Sequence, residues 1–435
     1  MRPLAELKAG LEASTLSAEG LLAGCHAAIA DRAGQGAVVF TRVYEAAPAA
    51  SRGPLAGIPL SIKDLFDVAG EVTTGGSKAR EGQPAAIADA EVVRRLKAAG
   101  ASIVGKTNMT ELAFGGIGIN PHYGTPLNPW DRKTGRIPGG SSSGAAVSVT
   151  DGMAAAALGS DTGGSVRIPA ALCGLAGFKP TQRRVPRTGV LPLSRSLDSI
   201  GPLAPTVACC ALLDGVISGA QSGVPAAVSL KGLRLAVPQN YVLDGMDDAV
   251  SAAFAEALLK LSDAGAVIEE MRLAPLDELR NINARGGFGA PEIYADMRDF
   301  LEANWQKLDP RVASRVAFGK SMTAADYIDL RRLRAGFITA MEAALAPYDG
   351  WLMPTVPVVA PAIAPLAVDD EAYRLANLAI LRNPSVINMA DGCAITIPCH
   401  RPGEAPVGLS LAGQAMQDRR ILAIGLSIEA ALKAA

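Results

Sequence analysis

Serine and glycine crowd two short stretches of this chain, Gly139-Gly140-Ser141-Ser142-Ser143-Gly144 and Asp161-Thr162-Gly163-Gly164-Ser165. Each holds a Gly-Gly-Ser unit, ending at Ser141 and at Ser165, with an apolar run between them. Hydroxyls at this density do not build a core, and glycine lets backbone N–H groups approach a ligand closely. Ser165 reads as a nucleophile at a helix start, where unpaired N–H groups favour developing negative charge. The N–H groups of Thr162, Gly163 and Gly164 can aim at a carbonyl oxygen, as an oxyanion hole requires.

A serine nucleophile needs a base. The chain has only His26, His122 and His400, and none lies in a glycine-rich or polar-turn context beside the serines. The alternative is a neutral lysine, as in Ser-Lys systems. Lys63 sits in Pro59–Leu65, which alternates like a strand. Neighbours on a strand point to opposite faces, so Asp64 cannot easily pair with it. On a buried face without a carboxylate its pKa would fall. On residues alone, Lys63 also reads as a solubility lysine on an edge strand. A lysine acting through a second serine would explain why two Gly-Gly-Ser units exist.

Three familiar patterns mislead. Gly100 to Thr107 matches the P-loop letter for letter, but a helix precedes it and its interior, Ala-Ser-Ile-Val, is an apolar strand. Gly140-Ser141-Ser142-Ser143-Gly144 matches the nucleophile elbow, with His400 downstream. The elbow needs an apolar strand just before it, and residues 128–138 cannot form one. A dinucleotide fingerprint fails because Pro121 stands where a third glycine belongs.

The elements around these residues suggest one continuous α/β body. Helices are expected over 3–32 in two pieces, 88–99, the start of 108–130, 166–172, 247–263, most of 273–346, and 418–434. Strands are expected at 37–41, 59–65, 101–104, 154–158, 173–179, 233–237, 266–271, 351–353, 356–359, 394–398 and 407–411. Gly159–Gly164, the rest of 108–130 and 183–202 read as loops, and 354–365 as a proline-stiffened coil. Of the 435 residues 49% are hydrophobic but only 4% aromatic, which suits a large aliphatic core. Net charge is −1 with signs mixed, so nothing argues for direct nucleic-acid or membrane binding. No signal-peptide region or 18-residue apolar run appears. Six cysteines without a Cys-x-x-Cys pair suit reduced thiols in the cytoplasm, and so few histidines predict no metal site.

At these residues the chain resembles the amidase signature family. The pattern is carried by Gly57-Ile58-Pro59-Leu60-Ser61-Ile62-Lys63-Asp64, Gly139-Gly140-Ser141-Ser142-Ser143-Gly144 and Asp161-Thr162-Gly163-Gly164-Ser165-Val166-Arg167-Ile168-Pro169. Ser141 and Ser165 lie 24 positions apart, as in the family. Similar pieces occur at 105–109, 128–130, 177–180 and 196–202, and Ser143 departs from a commoner glycine. The resemblance is dense over 53–205 and thinner through a variable, mostly helical region at 245–390.

The resemblance implies a single α/β/α domain spanning 1–435 around a large mixed sheet, and no cofactor. It implies Ser165 as acyl-enzyme nucleophile, Ser141 as bridging serine beside a cis peptide, and Lys63 as base. Backbone N–H groups from Thr162 to Ser165 would hold the oxyanion, and Asp161 and Arg167 would brace the loop. Phe114, Gly115 and Gly116 are expected to line a pocket for a small-molecule amide, with a homodimer as the assembly. A urea-derived amide is one candidate substrate, with Arg285, Arg382 or Asn383 on a carboxylate. The alternative is the glutamine-hydrolysing A subunit of a tRNA-dependent amidotransferase, which shares these motifs.

Overall fold

Strand residues send alternate side chains into different cores, and that alternation defines the layers. The computed structural model describes residues 1–31, 34–45, 52–220, 223–284 and 286–434. Its strands are β1 (Phe40–Val43), β2 (Pro59–Lys63), β3 (Ser102–Thr107), β4 (Ala156–Asp161), β5 (Ala176–Lys179), β6 (Ser199–Ala204), β7 (Arg234–Pro238), β8 (Val267–Met271), β9 (Gly350–Pro354), β10 (Cys393–Pro398) and β11 (Gly408–Gly413). They form one 11-stranded sheet in the order β1-β3-β2-β4-β6-β5-β10-β11-β9-β7-β8. β2 runs parallel to β3 and β4, β7 runs parallel to β8 and β9, and the remaining pairs are antiparallel.

On one face Leu158, Phe178, Ile395, Leu411, Leu352 and Leu235 join a core with helices Glu91–Ala98, Val207–Ser218, Asp248–Asp263 and Asp418–Lys433. On the other, Ala157 and Leu203 meet helices Ser143–Thr150 and Arg167–Leu172. Further along that second face, Trp351, Met353 and Ala394 meet helices Ala324–Leu345 and Asp370–Met389. Both faces are covered, so the fold is a single α/β domain with a large mixed sheet between helical layers.

Several elements differ from expectation. Residues 36–39 are a helical turn, and the strand starts at Phe40. Val39 packs against Val147 there, so tertiary packing overrides β propensity. The helix expected from 108 is only a short turn, Glu111–Ala113, because Leu112 and Ala113 have φ of 52° and 60°. β4 runs on through Asp161, since Asp161 pairs with Ser199 on β6, a strand inside the segment read as a loop. Residues 356–359 form no strand; the Val359 N–H goes instead to the Asp247 carboxylate at 2.7 Å. Residues 173–175 precede β5 rather than belong to it. Helix Val207–Ser218 falls where no element was expected. So does most of Asp370–Met389, which runs through Pro384 and is capped by Asp369 on the N–H groups of Glu371 and Ala372. The expected start at Thr323 is a complete capping box with Asp326.

The false P-loop has a structural use. A register shift between Leu60 and Ser61 puts Lys106 opposite Ile62 and Thr107 opposite Lys63. Lys106 Nζ then lies 2.9 Å from Asp64 Oδ1, with both side chains buried. Removing one member of such a pair leaves a buried charge uncompensated. Lys106→Met is therefore expected to lower unfolding free energy by about 3–5 kcal/mol, read by urea denaturation; an unchanged midpoint would refute the role.

Candidate active site

β2 lies inside the sheet, between β3 and β4, and all five of its residues are buried. Its last residue, Lys63, is 0% exposed. That excludes the edge-strand reading. Lys63 Nζ lies 2.7 Å from Ser141 Oγ and 2.9 Å from Ser160 Oγ, and no ion pair reaches it among the described residues. Burial lowers its pKa from 10.5 to about 7, against the opposing pull of Asp198 and Asp161.

Ser141 stands just before helix Ser143–Thr150, after a cis Gly140–Ser141 peptide. Its carbonyl accepts the Thr110 N–H at 3.1 Å. Gly140 is required on steric grounds, because a Cβ there would lie 2.7 Å from both Thr110 Oγ1 and the Gly118 nitrogen. Ser142, the centre of the elbow-like pattern, instead sends Oγ to the Ser160 carbonyl at 3.4 Å. His400 pairs with the Val407 backbone and with neither serine.

Ser165 follows β4 across a tight loop and faces a cleft of about 680 Å³. Asp161 organises that loop. Its carboxylate accepts the N–H groups of Gly164 at 2.9 Å and Val166 at 3.1 Å, and the Arg167 guanidinium at 2.9 and 3.0 Å. Burial pushes the Asp161 pKa up, but Arg167, Lys179 and Asn388 more than offset it and hold the carboxyl well below its usual range. The Gly164 N–H, one of the expected oxyanion donors, is thus committed to Asp161. The N–H groups of Gly163 and Ser165 meet no protein acceptor among the described residues. Thr162 flanks them, and its hydroxyl donates to Asp198 Oδ1 at 2.6 Å.

Phe114 and Gly115 line the cleft, while Gly116 lies against Leu381 with its N–H on Asn377 Oδ1 at 2.9 Å. Arg382 reaches the cleft wall. Asn383 does not, because it is buried and donates to the Val242 and Pro354 carbonyls at 2.8 and 2.9 Å. Arg285 lies outside the described residues.

Four residues near the site are not among those expected from the sequence. Asn388 donates to Asp161 Oδ1 at 3.0 Å and accepts from Arg167 at 2.6 Å. Asp198 also accepts the Leu193 and Ser194 N–H groups, each at 3.0 Å. Ser160 touches Lys63, and Arg315 donates to the Phe114 carbonyl. Asp198 lies in the stretch 196–202 already matched to the family pattern, which is the one trace that could have pointed to it.

The arrangement is a buried amine, a serine hydroxyl in contact with it, and a cleft-facing serine with open N–H groups beside it. A family model described as Amidase matches residues 22–422, and the chain belongs to that family. It is 39% identical to the 2-amino-5-chloromuconic acid deaminase of Comamonas testosteroni, over 87% of this chain and 82% of that one. It is 36% identical to the A subunit of the glutamyl-tRNA(Gln) amidotransferase of Roseiflexus sp. (strain RS-1), over 94% and 87% of the two chains. A crystal structure of an amidase superposes with a TM-score of 0.87 at 31% identity, covering 99% of each chain. The chain is thus an amidase-family hydrolase of amide bonds.

Gly164 tests the loop geometry. Its φ is +120°, and an added Cβ would meet Pro384 Cβ at 2.4 Å. Gly164→Ala should lower kcat/KM by about 100-fold with the far-UV spectrum unchanged; near wild-type turnover would show that the loop tolerates displacement.

Proposed function

We propose that the protein hydrolyses a small carboxamide through an acyl-enzyme on Ser165, with Ser141 as proton relay and Lys63 as base. One observation carries this reading: an amine without a contacting carboxylate lies 2.7 Å from Ser141 Oγ. Lys63 neutral at the outset takes the Ser141 proton as Ser141 takes that of Ser165. Ser165 Oγ attacks the amide carbon, and the carbonyl electron pair moves onto oxygen beside the Gly163 and Ser165 N–H groups. The proton returns through Ser141 to the leaving nitrogen, and ammonia or an amine departs. Water then cleaves the ester by the same relay. Thr162 borders the oxyanion site, Gly164 shapes it, and Asp161 with Arg167 and Asn388 keeps the loop in place. Phe114 and Gly115 form part of the substrate wall, with Gly116 behind them against Leu381.

The substrate class is a small amide, with urea-derived amides included, and the protein acts as a cytoplasmic homodimer. Six free thiols among the described residues suit a reducing compartment, and no helix of the described chain is long and apolar enough to cross a membrane. A second reading rests on the amidotransferase relatives: glutamine hydrolysis inside a hetero-complex. A stable complex with glutaminase activity on co-purification would favour it over an autonomous amidase.

Two outcomes test the mechanism. Ser165→Ala should abolish ammonia release from every amide in a small-amide panel while the fold persists; residual turnover at the wild-type rate would sink the assignment. Because Lys63 must start neutral and its pKa is lowered to about 7, kcat/KM should rise with pH and reach half its plateau near pH 7. Asp198 raises that pKa, so Asp198→Asn should move the half-point to lower pH. A flat profile from about pH 5 to 9 would exclude a lysine base.

A further inference from the structure

Three arginines reach the cleft beside Ser165, and among the described residues no carboxylate lines it. A guanidinium stays charged at any working pH, and charges withdrawn from water are ordinarily paired. Elsewhere the half-buried Arg334 is satisfied by the Ser196, Asn388 and Met389 carbonyls, while Arg167 and Arg184 do find acids, Asp161 and Asp214. The cleft arginines do not. Arg315, on helix Pro310–Ser321, donates to the Phe114 carbonyl and stacks 5.0 Å from the centre of the Phe114 ring. Arg382 donates to Asn383 Oδ1 at 3.1 Å and to the Asp244 carbonyl. Arg280 has no hydrogen-bond or ion-pair partner among the described residues.

By the helices that carry them and the residues beside them, the three divide into two groups, taken as two poles. Arg315 sits with Phe114, Gly115 and Tyr373, whose hydroxyl would lie 3.4 Å from a Cβ placed on Gly115. Arg280 and Arg382 both act electrostatically on Tyr241, which also lines the cleft. Leu381, next to Arg382 on its helix, stands 3.6 Å from where a Gly163 Cβ would be, so this second pole adjoins the loop that carries Ser165. The acids that act on these arginines, Asp309 and Asp244, do not line the cleft: Asp309 lines an adjoining pocket that Arg315 also borders, and Asp244 lines neither space.

Resting on the amide-hydrolase reading, we propose that the cleft selects a small dianionic substrate, with one carboxylate on Arg315 and a second on Arg280 and Arg382. The carbon that Ser165 attacks then lies between two anchored ends. Arginine meets a carboxylate through two parallel N–H bonds, so each pole adds orientation as well as affinity. An apolar amide would leave the half-buried Arg315 and Arg382 without an anionic partner. Free glutamine fits poorly too, because its ammonium group meets no carboxylate in the cleft.

Binding without turnover tests this separately from the mechanism. Unbranched dicarboxylates from malonate to adipate serve as probes in calorimetric titrations of the full chain, with butyrate as the single-charge comparison. One chain length should bind at least about 10-fold tighter than butyrate, and Arg315→Met, Arg280→Met and Arg382→Met should each weaken that binding about 10- to 100-fold. Arg332→Met, on an exposed helix face away from the cleft, should leave it unchanged. Arg280 is exposed and unpartnered among the described residues, so its variant reads the second pole even if Arg315→Met misfolds. Butyrate binding as tightly as every dicarboxylate, or full affinity after loss of Arg280 and Arg382 together, would overturn the proposal. Ser165→Ala retaining dicarboxylate binding but losing hydrolysis would support both readings; retained hydrolysis would sink the nucleophile alone.

Discussion

The site is built around one buried amine whose charged form is disfavoured by burial. Lys63 ends an interior strand, where solvation cannot stabilise an ammonium. Its nearest neighbour in sequence is an acid that would undo this. Alternation at the strand end separates the two, and Lys106 takes Asp64 on its own side. Lys63 is left to two serine hydroxyls. The same constraint explains why the acids that do act on it, Asp198 and Asp161, are each occupied by other donors. Their charges reach Lys63 at a distance and temper the effect of burial without reversing it.

The second constraint is the rigidity of the loop at Ser165. A loop of glycines would otherwise sample many conformations. Asp161 gathers backbone and guanidinium donors from three residues, Gly164, Val166 and Arg167, and Asn388 ties the cluster to helix Asp370–Met389 across the layer boundary. Sheet and covering helix therefore share one hydrogen-bond network. That helix also supplies Leu378, Leu381 and Arg382 to the cleft, so the element that ties down the Ser165 loop also shapes the cleft wall.

Strong local patterns are legible along the chain, and weak ones are not. The hydrophobic alternation of β2, β10 and β11 and the cap at Thr323 are readable because they are set by neighbours in sequence. β6 reads as a loop because Pro202 and Gly201 sit inside it; only pairing with β4 and β5 makes those residues a strand. Helix Asp370–Met389 escapes a sequence reading because Pro384 ordinarily ends a helix, whereas here packing of Val386, Ile387 and Met389 carries the helix onward. Arg315 gives no signal, since an arginine among charged helical residues reads as surface. Its contact with Phe114 joins positions 201 residues apart.

The sequence by itself determined the family: two Gly-Gly-Ser units and an upstream lysine in their order carry its pattern, because residue type and spacing along the chain need no tertiary contact to be read. The tertiary structure alone decided which reading of Lys63 holds, since burial belongs to a strand's place in the sheet and not to its letters. It also decided that Gly164 serves Asp161 while the Gly163 and Ser165 N–H groups stay open, because a backbone donor's partner depends on loop geometry. And it brought three arginines from separate helices to one cleft without an acid among the described residues, a charge pattern with no trace along the chain because its members meet only in space.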